Sequence, residues 1–522
     1  MRWAVGVVLA LAAVGPALAE PVPRLSWGAC PEAPEGQASS AGFACATASV
    51  PINHSEPAGD IFQLAVIKAP ARQPGARIGT LFWNPGGPGD AGTQYLPAAI
   101  GGFPERVRDR FDIVSWDPRG MGGASRPVIQ CFDNAAEEEA FLDARFSGVA
   151  TTPEALAADG AARIDLASRC AAKAGALLAH VSTADNARDL DLLRQAVGDE
   201  RLFYYGTSYG TFLGATYANL FPDRLAAAVF DGAVAPSAWS GSDGTLSTFI
   251  RLGSDFGAAT TIDAFMDACG AVDASACPFS AGSPAATRAK WAALKARARS
   301  GLALDGEVVD EGALASYVAS SIYLVEPLPG FGRFPGWKAV AATLEEMASA
   351  PPAPAAGSVS GAAAPQPVAA AGAPEVYTTS VGRQLAVICG ESPNPATADD
   401  AAQQALASFR RAGVSPWPFV AGCAGWRVRA ADIYRGPWDR ARDRPVLVIG
   451  NSFDPATALP SSVRMTQDLG NATLLVVNGY GHTALLNPSR CASDYVADYL
   501  IDGRLPPLGA TCAEDRPPFT GD

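Results

Sequence analysis

The chain predicts an α/β fold with a mostly parallel sheet, interrupted by a long and mainly helical insertion. Three observations carry that expectation. Short runs of Val, Ile, Leu, Phe and Tyr recur between glycines and prolines, helical periods lie between some of them, and the strand pattern stops near Asp231 and resumes near Arg444. Strands are expected at Ile61 to Ala69, Thr80 to Asn84, Asp112 to Trp116, Leu202 to Tyr205, Ala227 to Phe230, Val446 to Ile449 and Thr473 to Val477. Several are apolar at almost every position, as strands covered on both faces are. Between them, Ala187, Leu190, Leu193 and Val197 follow helical spacing, with Ser182 or Thr183 placed to cap the N-terminus. The insertion reads as helical at Ile262 to Cys269, Ala285 to Arg299 and Ala401 to Ala412. Inside it, Ser349 to Pro374 holds only Ala, Pro, Gly, Ser, Val and Gln, and predicts a flexible loop because it cannot bury enough surface to order itself. No internal repeat is visible.

Composition bounds the function classes. Among 522 residues 48% are hydrophobic and 17% charged, ample for a large core. Lys and Arg total 39 against 52 for Asp and Glu, a formal charge of -13 and the wrong sign for a surface that tracks phosphates, so nucleic acid is not an expected partner. Arg2, the apolar run Trp3 to Val14 and Ala17-Leu18-Ala19 before Glu20 form a signal peptide cut after Ala19. The run is too short for a spanning helix, and no later stretch qualifies, so no membrane contact is expected after cleavage and the mature chain is expected to be secreted or periplasmic. The boundaries that follow are 1–19 for the signal peptide, 20–235 and 441–522 for the two parts of the core, and 236–440 for a cap, with the loop at 349–374. The 10 cysteines are even in number and form no CxxC pair, which favours disulfides in an oxidising compartment over a metal site. The simplest pairing joins neighbours in order. Neither a metal nor an organic cofactor is implied, and the sequence says nothing of oligomeric state.

Gly206-Thr207-Ser208-Tyr209-Gly210 is a G-x-S-x-G sequence between an expected strand and an expected helix. That is the setting of a nucleophile elbow, where glycines let the chain reverse tightly while the serine hydroxyl stays outward. A serine hydroxyl is a weak nucleophile and needs a base oriented by an acid. The chain has 3 histidines, and only His482 follows Ser208, in a Gly-rich loop after the last strand; His54 and His180 read as structural or surface residues. Asp454, just after Val446 to Ile449, is the expected acid, with Asp231 at the end of an earlier strand as the rival. The oxyanion needs fixed N–H donors. Tyr209 supplies one, and the loop Asn84-Pro85-Gly86-Gly87-Pro88-Gly89 supplies the other, Gly87 before Gly86.

These segments, together with Trp116-Asp117-Pro118-Arg119-Gly120-Met121-Gly122-Gly123-Ala124-Ser125, resemble the tripeptidyl aminopeptidase branch of the proline-iminopeptidase-like serine peptidases, an α/β-hydrolase family. The resemblance runs from about Cys30 to Cys512 and is weakest in the cap. It implies Ser208 as nucleophile, Asp454 as acid, His482 as base and the Pro-Gly-Gly-Pro-Gly loop as the oxyanion element. Pro85 stands where many prolyl relatives carry His, which points to the secreted tripeptidyl branch. Asp117, Arg119 and Ser125 read as scaffold, a turn held by an aspartate–arginine pair and a hydroxyl.

The implied activity is a secreted exopeptidase that removes short peptides, tripeptides first, from free N-termini. Its partners are peptide substrates with a free amine, and Glu391 is the expected carboxylate for that amine. An esterase of small acyl esters would use the same triad and is the alternative. A binding module on a hydrolase scaffold is a third reading, disfavoured because nucleophile and base are both present.

Overall fold

The computed structural model describes residues 21–34, 36–145, 150, 152–241, 244–304, 307–328, 334–353, 377, 379, 381–413 and 422–520. The expected signal peptide, residues 1–19, and residues 354–374 of the Ala/Pro/Gly-rich segment lie outside these residues.

Among the described residues twelve strands occur in chain order: β1 (Gly28–Ala29), β2 (Ala44–Pro51), β3 (Ile61–Ala69), β4 (Gly79–Asn84), β5 (Phe111–Trp116), β6 (Leu202–Thr207), β7 (Leu225–Asp231), β8 (Leu302–Leu304), β9 (Glu307–Val309), β10 (Val446–Phe453), β11 (Ala472–Tyr480) and β12 (Thr511–Ala513). Ten of them form one sheet in the order β1-β2-β3-β5-β4-β6-β7-β10-β11-β12. The first three strands and the β3–β5 pair are antiparallel, and every pair from β5 to β12 is parallel. The order reverses around β4: the chain steps back from β4 to β5 and then across to β6 on the other side. Such a reversal opens a crevice at the carboxyl ends of the strands, where ligands bind in open α/β sheets.

Consecutive residues of each parallel strand face opposite layers. Phe82, Tyr204, Phe230 and Val448 belong to one hydrophobic cluster, while Leu81, Tyr205, Val229 and Ile449 belong to another. Burial on both faces explains why these strands read as unbroken apolar runs. The first layer is covered by helices Thr183–Ala196 and Tyr209–Leu220, the second by Gly92–Ala99, Glu105–Arg110 and Arg490–Asp502. The helix at Thr183 is capped by Ser182, whose hydroxyl accepts from Asp185 N while the Asp185 carboxylate takes the Ser182 N–H.

Between β7 and β10 lie helices and the small hairpin β8–β9. This stretch contributes to more than one packing environment. Phe265, Met266, Trp291, Leu294, Val318, Trp337 and Leu344 form a core of their own. Helix Gly382–Glu391 instead buries Leu385 and Ile388 in the same cluster as Trp116 and Phe230. The strand β2 has no apolar run to announce it: in Ala44–Pro51 only Ala48, Val50 and Pro51 are buried, and pairing with β3 along its whole length organises it.

All five disulfides join neighbours in sequence: Cys30–Cys45, Cys131–Cys170, Cys269–Cys277, Cys389–Cys423 and Cys491–Cys512. Each ties a local loop and none crosses between distant segments. No helix among the described residues is long and apolar enough to cross a membrane.

Candidate active site

Ser208 sits between β6 and the helix Tyr209–Leu220 with φ 56°, a backbone conformation that a non-glycine residue holds only when its surroundings enforce it. The enforcement is visible. Ser208 N donates to Asp231 O at 3.0 Å, its carbonyl receives Thr211 N at 2.9 Å and Thr211 Oγ1 at 2.6 Å, and Tyr204 Oη donates to Gly210 O at 2.7 Å. A Cβ on Gly206 would lie 2.4 Å from Gly210 O, and one on Gly210 would lie 2.5 Å from Asn84 O, so neither position admits a side chain.

His482 follows β11. Its Nδ1 lies 3.0 Å from Asp454 Oδ1 and 2.9 Å from Oδ2. Two carboxylate acceptors at one ring nitrogen place the proton on Nδ1 and leave Nε2 with its lone pair. Nε2 is buried and makes no hydrogen bond. Asp454 is itself held by Ala456 N and Thr457 N on Oδ1, both at 2.8 Å, and by Thr457 Oγ1 on Oδ2 at 3.0 Å. Asp231 does not reach the imidazole. Its carboxylate accepts Ala484 N, Leu485 N and Tyr205 Oη, which anchors the chain just after His482. Burial pushes that carboxyl up to about 6, against the pull of these hydrogen bonds.

The loop after β4 passes over the serine turn. A Cβ on Gly86 would lie 2.9 Å from Ser208 Cβ and 3.1 Å from Tyr209 N, so the loop approaches Ser208 as closely as a glycine allows. Gly86 N–H is already engaged by Asn84 Oδ1 at 3.0 Å, whereas Gly87, at φ 103°, lines the cavity. Tyr209 N opens its helix and so has no acceptor within it.

Ser208, Tyr209, Gly87 and His482 line one cavity of about 180 Å³, with Asp454 directly behind the imidazole. Its floor is the rim of the sheet and its roof is the insertion, through Phe249, Leu252, Ala258, Tyr323, Leu324 and Phe334. Burial, and the negative charge of Glu391 nearby, raise the Tyr209 phenol well above its ordinary range, so that side chain stays neutral.

Two expectations need correction. Glu391 does not line the cavity. It is 4% exposed and accepts Thr183 N at 2.8 Å, Thr183 Oγ1 at 2.6 Å and Trp239 Nε1 at 2.8 Å, behind the wall that Trp239 and Tyr209 present. Burial raises its pKa, which suits a packing role better than binding a substrate cation. Likewise Asp117 and Arg119 do not pair with each other. Arg119 pairs with Asp189, within a buried group that includes His54 and the carbonyl of His180. Asp117 accepts from Thr93 and Ala124 N, and burial pushes it up to about 6. Ser125 does supply the hydroxyl, bridging Asp117 O and Ala65 N.

Three further residues at the site are not singled out by any motif of the sequence. Thr457 braces Asp454 and also lies 3.4 Å from His482 Nδ1. The Tyr323 carbonyl accepts His482 N at 2.6 Å, and its ring meets the imidazole edge-on at 5.3 Å between centroids. Asp90 lines the cavity beside Gly87. A threonine three residues after the acid was the one mark open to inspection; Tyr323 and Asp90 are brought in by tertiary packing.

The sheet order and this cavity define an α/β hydrolase working through serine chemistry. Residues 80–275 match the family described as alpha/beta hydrolase fold, and residues 414–512 match the one described as TAP-like protein. Carboxylesterase B of Mycobacterium tuberculosis is 30% identical over 511 residues, covering 94% of this chain and 90% of the relative. Serine protease Hip1 of Mycobacterium tuberculosis is 29% identical over 541 residues, with 98% and 97% covered, and tripeptidyl aminopeptidase of Streptomyces lividans 28% over 507 residues, with 91% and 84% covered. The chain belongs to the tripeptidyl aminopeptidase-like family of serine hydrolases with the α/β-hydrolase fold.

Proposed function

We propose that this protein is a secreted serine exopeptidase that releases short peptides, tripeptides first among them, from free N-termini. The reading is carried by a single arrangement: an imidazole whose Nδ1 is held by Asp454 and whose Nε2 is unpartnered, in the same cavity as a serine on a strained turn. In this mechanism His482 Nε2 takes the Ser208 proton as Oγ attacks the scissile carbonyl, and the Asp454 carboxylate stabilises the resulting imidazolium. The N–H groups of Gly87 and Tyr209 hold the oxyanion. The imidazolium then protonates the departing amine, the new N-terminus of the shortened peptide. Water, deprotonated by His482, releases the short acyl peptide from Ser208 and restores the enzyme.

A roofed cavity of about 180 Å³ suits the end of a peptide chain better than its middle, which supports exopeptidase over endopeptidase action. The 10 cysteines, all paired, support an oxidising compartment and hence secretion or a periplasmic location. Digestion of a peptide library followed by mass spectrometry tests the proposal directly. Fragments released from free but not acetylated N-termini are expected, and Ser208→Ala should lower kcat by about 10⁶-fold. Undiminished hydrolysis by that variant would overturn the assignment. The name of the 30% identical carboxylesterase favours a second reading, an esterase with the same triad; turnover of acyl esters with no release of peptides would establish it.

A further inference from the structure

One carboxylate stands apart from the rest of the cavity wall. Asp90 follows the Pro-Gly-Gly-Pro-Gly loop and is 5% exposed, and its Oδ1 is buried without a hydrogen-bond partner. It is the only acidic residue among the described residues that line the cavity, and no Lys or Arg lines it with Asp90. Nor does Asp90 serve the fold in the ways a buried aspartate usually does. The helix that begins at Gly92 is not capped by it: Thr93 N and Oγ1 bond to Asp117 instead. A buried carboxylate with neither counter-ion nor full hydrogen bonding is costly, and proteins keep one where a ligand supplies the missing partner.

We infer that Asp90 is the counter-ion for a protonated amine of the peptide substrate. Resting on the exopeptidase reading above, that amine is the substrate's own N-terminus; the other source of the same chemistry is a lysine side chain at the scissile residue. The site lies beside the oxyanion donors, since a Cβ on Gly87 would come within 3.2 Å of Asp90 Cγ. Position gives the carboxylate a second effect. Unpaired, it opposes negative charge developing on the scissile oxygen; paired with an ammonium, it does not. A cationic substrate is therefore favoured in kcat as well as in KM, and a neutral one is penalised. Asp90 thereby selects for charged substrates and fills the role expected of Glu391.

The test compares wild type, Asp90→Asn and Asp90→Glu on two pairs of p-nitroanilides. The first pair is Ala-Ala-Ala with a free and with an acetylated N-terminus; the second is acetyl-Ala-Ala-Lys and acetyl-Ala-Ala-norleucine. Wild type should prefer the charged member of one pair, and Asp90→Asn should reduce that preference in kcat/KM by about 10- to 100-fold, the worth of a charge-assisted hydrogen bond. The same variant should turn over the neutral member faster than wild type, a gain no structural role predicts. Asp90→Glu should retain part of the preference. Cooperative unfolding, with a Tm at or above that of wild type, shows that Asp90→Asn is folded. If the preference lies in the lysine pair alone, the exopeptidase reading fails while Asp90 keeps its role. If free-amine preference is strong and survives Asp90→Asn unchanged, the exopeptidase reading stands and the inference about Asp90 falls. Absence of any charge preference in wild type overturns both.

Discussion

Replacing Asp454 by asparagine preserves shape and removes one charge, yet the structure predicts an almost complete loss of turnover. Oδ1 accepts Ala456 N and Thr457 N, both at 2.8 Å, so in Asp454→Asn the amide oxygen of the new side chain is compelled to occupy that position. Its NH₂ then lies where Oδ2 was, 2.9 Å from His482 Nδ1, and donates to it. The imidazole must therefore carry its proton on Nε2, the nitrogen that has to accept from Ser208. A base in the wrong tautomer costs about 10⁴-fold in kcat, or ~5.5 kcal/mol of barrier. The assay is steady-state hydrolysis of a tripeptide p-nitroanilide, alongside the labelling rate of Ser208 by a fluorophosphonate, which needs the same proton transfer. Asp454→Ala gives the internal control: it removes the acid without forcing the tautomer, so the asparagine variant should be no more active than the alanine one. An Asp454→Asn enzyme that keeps more than about a tenth of wild-type kcat would refute this reasoning.

Two further outcomes follow from the scaffold. The Cys131–Cys170 bridge closes a separation of 39 residues, so replacing both cysteines by serine should cost about 4 kcal/mol in denaturant unfolding; a loss below about 1 kcal/mol would contradict the loop-closure account. Asp231 and Asp117 are each held up at about 6 by burial, against an ordinary value of 3.8, so between these values the folded state keeps protons that the unfolded chain has lost. Stability therefore falls as pH rises through that window, by up to about 3 kcal/mol for each group, and Asp231→Asn should remove one group's share of the slope in urea unfolding series. An unchanged slope would rule out Asp231 as a contributor.

The sequence exposed the parts of the fold whose cause is local. Strands β4, β6, β7 and β10 are buried on both faces and announce themselves as apolar runs, and Ser182 with Asp185 writes a helix start directly into the chain. Strand β2 was silent because Ala, Thr and Ser carry no strong pattern, and its order comes from β3. The G-x-S-x-G turn was legible because Gly206 and Gly210 are forced by contacts with their own neighbourhood. The choice between Asp454 and Asp231 was not forced by local pattern: both follow strands, and only packing shows that one meets the imidazole while the other holds the backbone beyond it. Glu391 and Asp90 illustrate the same limit. Each is a lone acid in an apolar context, and which one faces the cavity depends on how helix Gly382–Glu391 packs into the core.

The bond from His482 N to the Tyr323 carbonyl joins two parts of the chain far apart in sequence, the loop after β11 and the inserted segment. Gly481 permits it, since a Cβ there would lie 2.7 Å from that carbonyl. The inserted segment and the backbone of His482 are thus tied directly to each other. With His482 as the proposed base, a displacement of the inserted segment at Tyr323 that left the loop in place would cost this hydrogen bond, and with it one of the restraints that hold the imidazole against Asp454.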